Sequence, residues 1–396
     1  MTDVQPNAEQ AELDVSDVER WVGVPIGGPQ PKEPYSVNDI RRFVQAFANP
    51  NPLHFDETYA AGSRFGAIVA PQSYFGGGPA TGAIAANQGH VPGSHMLFGG
   101  DEQWFYGPRV HPGDHLRLDR MLFDYKVTQT SFAGPTLFSR GDTTYVNQRG
   151  EILAKQRSTA IRYRAEHARE LRSFAGEGQT PEWTAEELDA LDERRVAWIR
   201  SFRELDHEPR LWATVSVGDR LPTRVVGPHS VQTFTTEHRS DAGGWGSYAD
   251  SPLPITRDPG FIPEMQRNRE RLAIDPHERD GLHRGPGRGH VNPAYAERIG
   301  MPRSYGYGAS MCVWVVDSLA NWAGEWGFVR HHDTRYRSPA FVGDVTFVDG
   351  EVIEVYVDPG SGAGTVRVAV EMTNQKGARL ARGTAEVELP IEDPRP

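Results

Sequence analysis

The sequence predicts an α+β protein made of two fused copies of one helix-plus-sheet unit, its strands antiparallel. Three observations predict it. Alternating apolar and polar residues mark strands in both halves, short amphipathic helices precede them, and a set of landmarks occurs twice in the same order. "NQRGEILAK" at Asn147 to Lys155 returns as "NQKGARLAR" at Asn374 to Arg382. "YGPRVHPGD", ending at Asp114, is answered by "YRSPAFVGD", ending at Asp344. The Asn-Pro pair of "NPLHFDETYAAGSRFG" at Asn51 returns at Asn292 in "NPAYAERIGMPRSYGYG".

Taken in order, residues 1–30 are polar and end in a Pro/Gly-rich run, which reads as an N-terminal arm. The first unit covers residues 31–164. It opens with "YSVNDIRRFVQAFA", where Ser36 caps a helix, Asp39 stands in its first turn, and Ile40, Phe43, Val44 and Phe47 form one apolar face. Alternating strands then run from about Gly113 to Tyr163. Residues 165–211 are highly charged and form a linker. Within it Thr184 and Glu187 make a capping box, and Leu188, Leu191, Trp198 and Phe202 give a helix one stripe to lay on a domain surface. The second unit covers 212–396 with an insertion at about 240–289. Its tryptophans Trp314, Trp322 and Trp326 are expected in a core, and "HHD" at His331 to Asp333 is expected to begin a strand.

A chain of 396 residues exceeds what one core usually needs, so two domains fit its length. It has no apolar run near eighteen residues, and its start is acidic where a signal peptide would be basic and then apolar; a cytoplasmic protein with no membrane partner is expected. The lone Cys312 excludes an internal disulfide and any multi-cysteine metal cluster. With a net charge of -11 and scattered basic residues, no nucleic acid is expected as partner. "HERDGLHRGPGRGH", with His277, Asp280, His283 and His290, matches no strong zinc spacing, and no metal is expected there. Arg284 and Arg288 could meet phosphates, but no strand-loop-helix unit frames them.

"NPLHFD", followed by "YAAGSRFGAIVAP" and a Gly-Asp strand start, resembles the MaoC-like hydratase and dehydratase family. In the second half "WATVSVGDRLPTRVVGPHSVQ" is similar to the opening of a second such domain, and "MPRSYGYGASMCVWVVDSLANWAGEWG" to its central helix. The resemblance implies a double hotdog. It also implies hydration of a 2-enoyl thioester, or dehydration of a 3-hydroxyacyl thioester in the R series, carried on coenzyme A or an acyl carrier protein and needing no other cofactor. The chain is expected to pair as a homodimer or as a hetero-oligomer of hotdog subunits.

The family motif runs Asp, any residue, Asn, Pro, a small apolar residue, His, with the Asp and His as catalytic pair. It places His54 as the acid/base and puts Asn49 where the acid should be, with Asn51 as the motif asparagine. An amide cannot accept a proton at neutral pH. Asn49 and Asn51 are therefore expected to orient the water or His54, and Asn49→Asp to raise hydration if Asn49 faces the water. Asp56 is either a substitute carboxylate or an N-cap. In the same frame His290 takes the acid's position in the second half, which lacks a catalytic histidine. A helix-start amide near Gln72, or at Gly308 after Tyr307, would hold the enolate oxygen. Gly76, Gly77, Gly78 and Gly82 hint at an acyl or pantetheine passage where the first half's central helix should begin. Two alternatives stand beside this reading: a catalytically silent acyl-thioester-binding subunit of a hotdog complex, and a hotdog thioesterase.

Overall fold

Ten strands hydrogen-bond into one sheet in which every strand pairing is antiparallel. The computed structural model describes residues 13–26, 34–75, 83–171, 174–238, 240 and 288–395. The first half contributes β1 (Pro25–Ile26), β2 (Ser94–Phe105), β3 (Leu116–Thr130), β4 (Gly134–Asn147) and β5 (Ile152–Arg164). The second contributes β6 (Arg220–Val226), β7 (Phe328–Tyr336), β8 (Thr346–Val357), β9 (Gly364–Asn374) and β10 (Arg379–Leu389). The order across the sheet is β1-β3-β4-β5-β2-β7-β10-β9-β8-β6. The halves therefore meet where β2 pairs with β7, from Gly100 opposite Arg335 to Trp104 opposite His331. Gly100 is required at this junction, since a Cβ there would lie 2.6 Å from the Thr334 carbonyl oxygen.

The repeat is built into the hydrogen bonds. Tyr35 N–H donates to the Asp114 carbonyl and Gly113 N–H to that of Tyr35; His229 donates to Asp344 and Gly343 to His229 in the same way. Gln148 Nε2 reaches Asp114 Oδ1 at 2.8 Å, and Gln375 Nε2 reaches Asp344 Oδ1 at 2.9 Å. Each Gly-Asp pair thus closes its strand start onto the turn that follows the fourth strand of its half. This is the double hotdog α+β fold.

The helix Gly308–Ala323 is the central one, and its sequence shows why. Twelve of its side chains besides Asp317 are buried, on all sides rather than one, so it has no solvent face. The first half has no equal among the described residues. After "APQSYF" the chain makes only a 3-10 turn, Gln72–Phe75, and later a four-residue helix, Ala83–Ala86. Gly76, Gly77, Gly78 and Gly82, the hinted passage, lie outside the described residues.

Other elements follow their local signals. Ser36 and Asp39 form a capping box on the helix Val37–Ala46, and Thr184 and Glu187 form another on Ala185–Arg203. Leu191, Trp198 and Phe202 of the latter helix are buried, but Leu188, near its free end, is exposed. Leu13, Val18 and Ile26 of the arm pack into a small core with Leu122 and Leu137. Trp314 and Trp322 are buried. Trp326 is not; it is half-exposed and carries the Arg64 guanidinium on its ring at 4.8 Å. His331 to Asp333 lie inside β7 rather than at its start. Almost all of the insertion, with His277, Asp280, His283 and Arg284, is outside the described residues. Among the described ones no helix is long and apolar enough to cross a membrane, and no cluster of His, Cys, Asp and Glu could hold a metal.

Candidate active site

His54 is delivered by a succession of short-range devices. The helix Val37–Ala46 ends with Asn49 N–H bonded back to the Val44 carbonyl and Ala48 at φ 46°, a left-handed termination that usually takes glycine. Asn51 then accepts from Leu53 N–H at 3.1 Å, Pro52 opens a 3-10 turn, and His54 closes it. Two residues on, Asp56 caps the helix Glu57–Gly62 by accepting from Thr58 and Tyr59 N–H. Asp56 is therefore an N-cap and not a substitute carboxylate.

The His54 ring is only 2% exposed, and its Nδ1 lies 2.7 Å from the Val69 carbonyl oxygen. A carbonyl can only accept, so Nδ1 carries the proton and Nε2 holds a lone pair. Burial pushes the imidazole pKa down to about 3, with the Arg109 guanidinium adding to the effect, so the ring is neutral at physiological pH.

Asn49 and Asn51 do not serve the ring as the motif suggested. Asn49 Oδ1 accepts from Asn51 N–H at 3.2 Å and from Asn321 Nδ2 at 3.1 Å, while Asn51 Nδ2 donates to Asn321 Oδ1 at 2.9 Å. The three amides bond to one another, and Asn321 comes from the central helix of the other half. Asn49 Nδ2 is sealed from solvent without a well-formed hydrogen bond, yet it favours the charged form of the nearby Asp317 carboxylate. The poor geometry makes this a dipole facing a charge rather than a full bond.

Beside Asn49 the central helix of the second half places the carboxylate of Asp317. It is 1% exposed. Ser73 Oγ donates to its Oδ1 at 2.6 Å and Arg224 to its Oδ2 at 3.2 Å. Burial raises its pKa, and Arg224, Ser73 and Asn49 oppose that rise. Arg224, also buried, donates in addition to the Phe47 carbonyl at 2.6 Å, which ties the end of the motif helix to the central helix. The expectation for Asn49→Asp is thereby reversed, because a carboxylate at position 49 would face Asp317.

Gln72 is a structural link: its side chain donates to the Val329 carbonyl and accepts from Val329 N–H, both at 3.0 Å. Only its backbone amide remains as a candidate donor, at the opening of a turn. Gly308 opens the central helix with Phe98 packed against it, the Phe98 Cβ lying 2.4 Å from where an added Cβ would stand. Tyr307 stacks between His290 at 3.7 Å and His238 at 4.2 Å, so it belongs to the second half's surroundings and not to those of His54.

His290 itself corrects the sequence alignment. Its Nδ1 lies 2.6 Å from the Tyr305 carbonyl, 15 residues on, as His54 Nδ1 bonds Val69, also 15 residues on. Two residues after it, Asn292 caps the helix Pro293–Arg298, as Asp56 caps Glu57–Gly62. His290 is thus the counterpart of His54. Matching the two Asn-Pro pairs hid this, because Asn51 opens a 3-10 turn whereas Asn292 caps the next helix.

Sequence reading missed Asp317, Asn321, Arg224, Ser73 and Arg109. One signal was present: Asp317 is the lone charge in "MCVWVVDSLANWA", and Asn321 follows four residues later on the same helix face. A charged groove of about 540 Å³ on the sheet, lined by Arg335, Arg337, Asp349 and Glu371 among others, contains none of these residues.

Comparison with known proteins bears on this geometry. Residues 20–156 match the profile of the FAS1-like dehydratase domain region. A probable enoyl-CoA hydratase alpha subunit of Thermomonospora curvata is 26% identical over 166 residues, 37% of this chain and 51% of the relative. The match thus spans about half the length of that curated relative. A solved MaoC-like dehydratase superposes with a TM-score of 0.58 at 17% identity, covering 95% of this chain and 100% of its own. A putative MaoC domain protein dehydratase from Chloroflexus aurantiacus gives a TM-score of 0.51 at 14% identity, covering 94% and 96%. At such identities these structures establish the shared fold.

Proposed function

We propose that this chain, which shares the double hotdog fold with MaoC-like dehydratases, adds water to a 2-enoyl thioester, or removes it from a 3-hydroxyacyl thioester, with His54 as its acid/base. The observation that carries this reading is the buried neutral imidazole whose Nδ1 is spent on Val69, leaving the Nε2 lone pair for chemistry. In hydration Nε2 takes a proton from water as the oxygen bonds to C3, and electrons move from the double bond onto the thioester oxygen. The imidazolium then returns that proton to C2, the enolate collapses, and one water has been added. The opening amides of the Gln72–Phe75 turn, three residues after Val69, are assigned to the enolate oxygen.

The carrier is coenzyme A or an acyl carrier protein, and the working assembly is a dimer or hetero-oligomer of hotdog subunits. One observation favours a second reading: Asn49 is committed to other amides, so no carboxylate assists the imidazole, as in a silent acyl-thioester-binding subunit.

Loss of enoyl absorbance with purified wild type and His54→Ala, over short, branched, aromatic and steroid-like enoyl-CoA, tests both. His54→Ala should lose a factor of roughly 10² to 10⁴. Equal hydration by the two proteins would refute the role of His54. Binding without hydration by the wild type would favour the silent subunit, and release of free thiol would indicate a thioesterase.

A further inference from the structure

We propose that Arg109, with Arg64 beside it, forms a subsite for a carboxylate on the acyl chain, so that the thioester taken at His54 is a dicarboxylic one. This rests on the reading of His54 given above. The placement is set by two consecutive carbonyls: Val69 receives His54 Nδ1 at 2.7 Å, and Ala70 receives Arg109 Nε at 3.3 Å. Arg109 as a residue is half-buried, and its positive charge acts on the imidazole.

Among the described residues, the terminal nitrogens of Arg109 have no hydrogen-bond partner, and neither Arg109 nor Arg64 has an ion pair. Both guanidinium groups lie by the Phe65 ring, at 5.7 and 5.4 Å from its centroid, Arg64 also lies over Trp326 at 4.8 Å, and the charge of Arg64 acts on Arg109. Burial and the charge of Arg64 lower the Arg109 pKa to about 10, with the charge of Asp317 opposing them, which still leaves it cationic. The nearby carboxylates are engaged elsewhere. Asp317 holds Ser73 and Arg224, and Glu325 accepts from the Arg64 backbone N–H at 3.1 Å and lies 3.0 Å from His207 Nδ1.

Two neighbouring cations with no carboxylate in ion-pair contact are arranged for an anion that arrives with the ligand, and a guanidinium fork matches a carboxylate in two parallel bonds. Coenzyme A also brings phosphates, but the whole pantetheine arm separates them from the double bond on which His54 acts. An arginine bonded to the very next carbonyl faces the acyl group instead.

The test uses thioesters that cannot be hydrated. Calorimetric affinities of the full chain for glutaryl-CoA, butyryl-CoA and free coenzyme A are compared in wild type, Arg109→Gln and Arg64→Gln. Wild type should bind glutaryl-CoA about tenfold more tightly than butyryl-CoA, the scale of one charge-assisted pair. Arg109→Gln should bring that ratio near one. Arg64 is exposed, so Arg64→Gln leaves the fold intact and should lower the ratio severalfold, which keeps the test decisive should Arg109→Gln fail to fold.

A wild-type ratio near one overturns the proposal. So does a loss for free coenzyme A equal to that for glutaryl-CoA, which would make the arginine a phosphate contact. Because no chemistry occurs in this assay, failure of the subsite and failure of His54 are read separately: a preference for glutaryl-CoA in a protein that hydrates nothing sinks only the latter.

Discussion

Replacing His54 by glutamine should make the protein less sensitive to acid, by an amount that follows from the ring's surroundings. The histidine pKa falls from its ordinary 6.5 to about 3 on folding. Below pH 6.5 the unfolded chain binds a proton that the folded ring refuses, so stability is complete above 6.5 and declines as pH falls toward 3. Each pH unit in that window costs about 1.4 kcal/mol, so acidification from pH 7.5 to 5.0 removes about 2 kcal/mol through this site alone. Glutamine cannot protonate, and its amide can still donate to the Val69 carbonyl. His95, His229 and His332 are also buried with lowered pKa values and act in the same direction, while Asp101 and Glu237, both raised by burial, act in the other. These contributions are common to both proteins and cancel in the difference. Urea denaturation at pH 7.5 and 5.0 should therefore show His54→Gln losing about 2 kcal/mol less than wild type over the interval. Parallel losses would mean that the ring is not held neutral, and the acid/base assignment would lose its footing.

Two further substitutions probe the surroundings. Asn49→Asp should destabilise the chain by about 1–3 kcal/mol at pH 8, because two buried carboxylates would compete for one arginine, and the deficit should shrink by pH 5 as one of them holds a proton; a pH-independent effect, or a gain in hydration, would contradict the placement of Asp317. Gly308→Ala should cost about 1–3 kcal/mol by collision with the Phe98 Cβ, and Phe98→Gly in the same chain, which removes that Cβ, should cost less than the sum of the two single changes. Additive effects in that thermodynamic cycle would show that the two residues are not in contact.

What could be read from the chain depended on the distance over which its parts interact. Ser36 with Asp39 and Thr184 with Glu187 are three residues apart, and both capping boxes formed as their local chemistry requires. The Gly-Asp pairs and the Asn-Gln turns repeat because each half must close the same strand start. His54 was legible for the same reason, as it sits in a run of short-range turn signals. Asp317 and Arg224 are separated by 93 residues, and Asn51 and Asn321 by 270, so no local pattern announces either contact. Arg109 was one arginine among many until folding brought it beside Val69 and Ala70. The misplacement of His290 has a different cause: asparagine followed by proline suits both a 3-10 turn and a helix start, so one dipeptide marked two non-equivalent places.

The crossing of Asp317, Asn321 and Arg224 into the neighbourhood of His54 constrains how this chain could have arisen from two like modules. Once one half supplies Arg224 to the Phe47 carbonyl and Asn321 to Asn49 and Asn51, the segment that leads to the other half's imidazole is held by groups it does not itself contain, and the pair is no longer symmetric. Fusion fixes their stoichiometry at one to one.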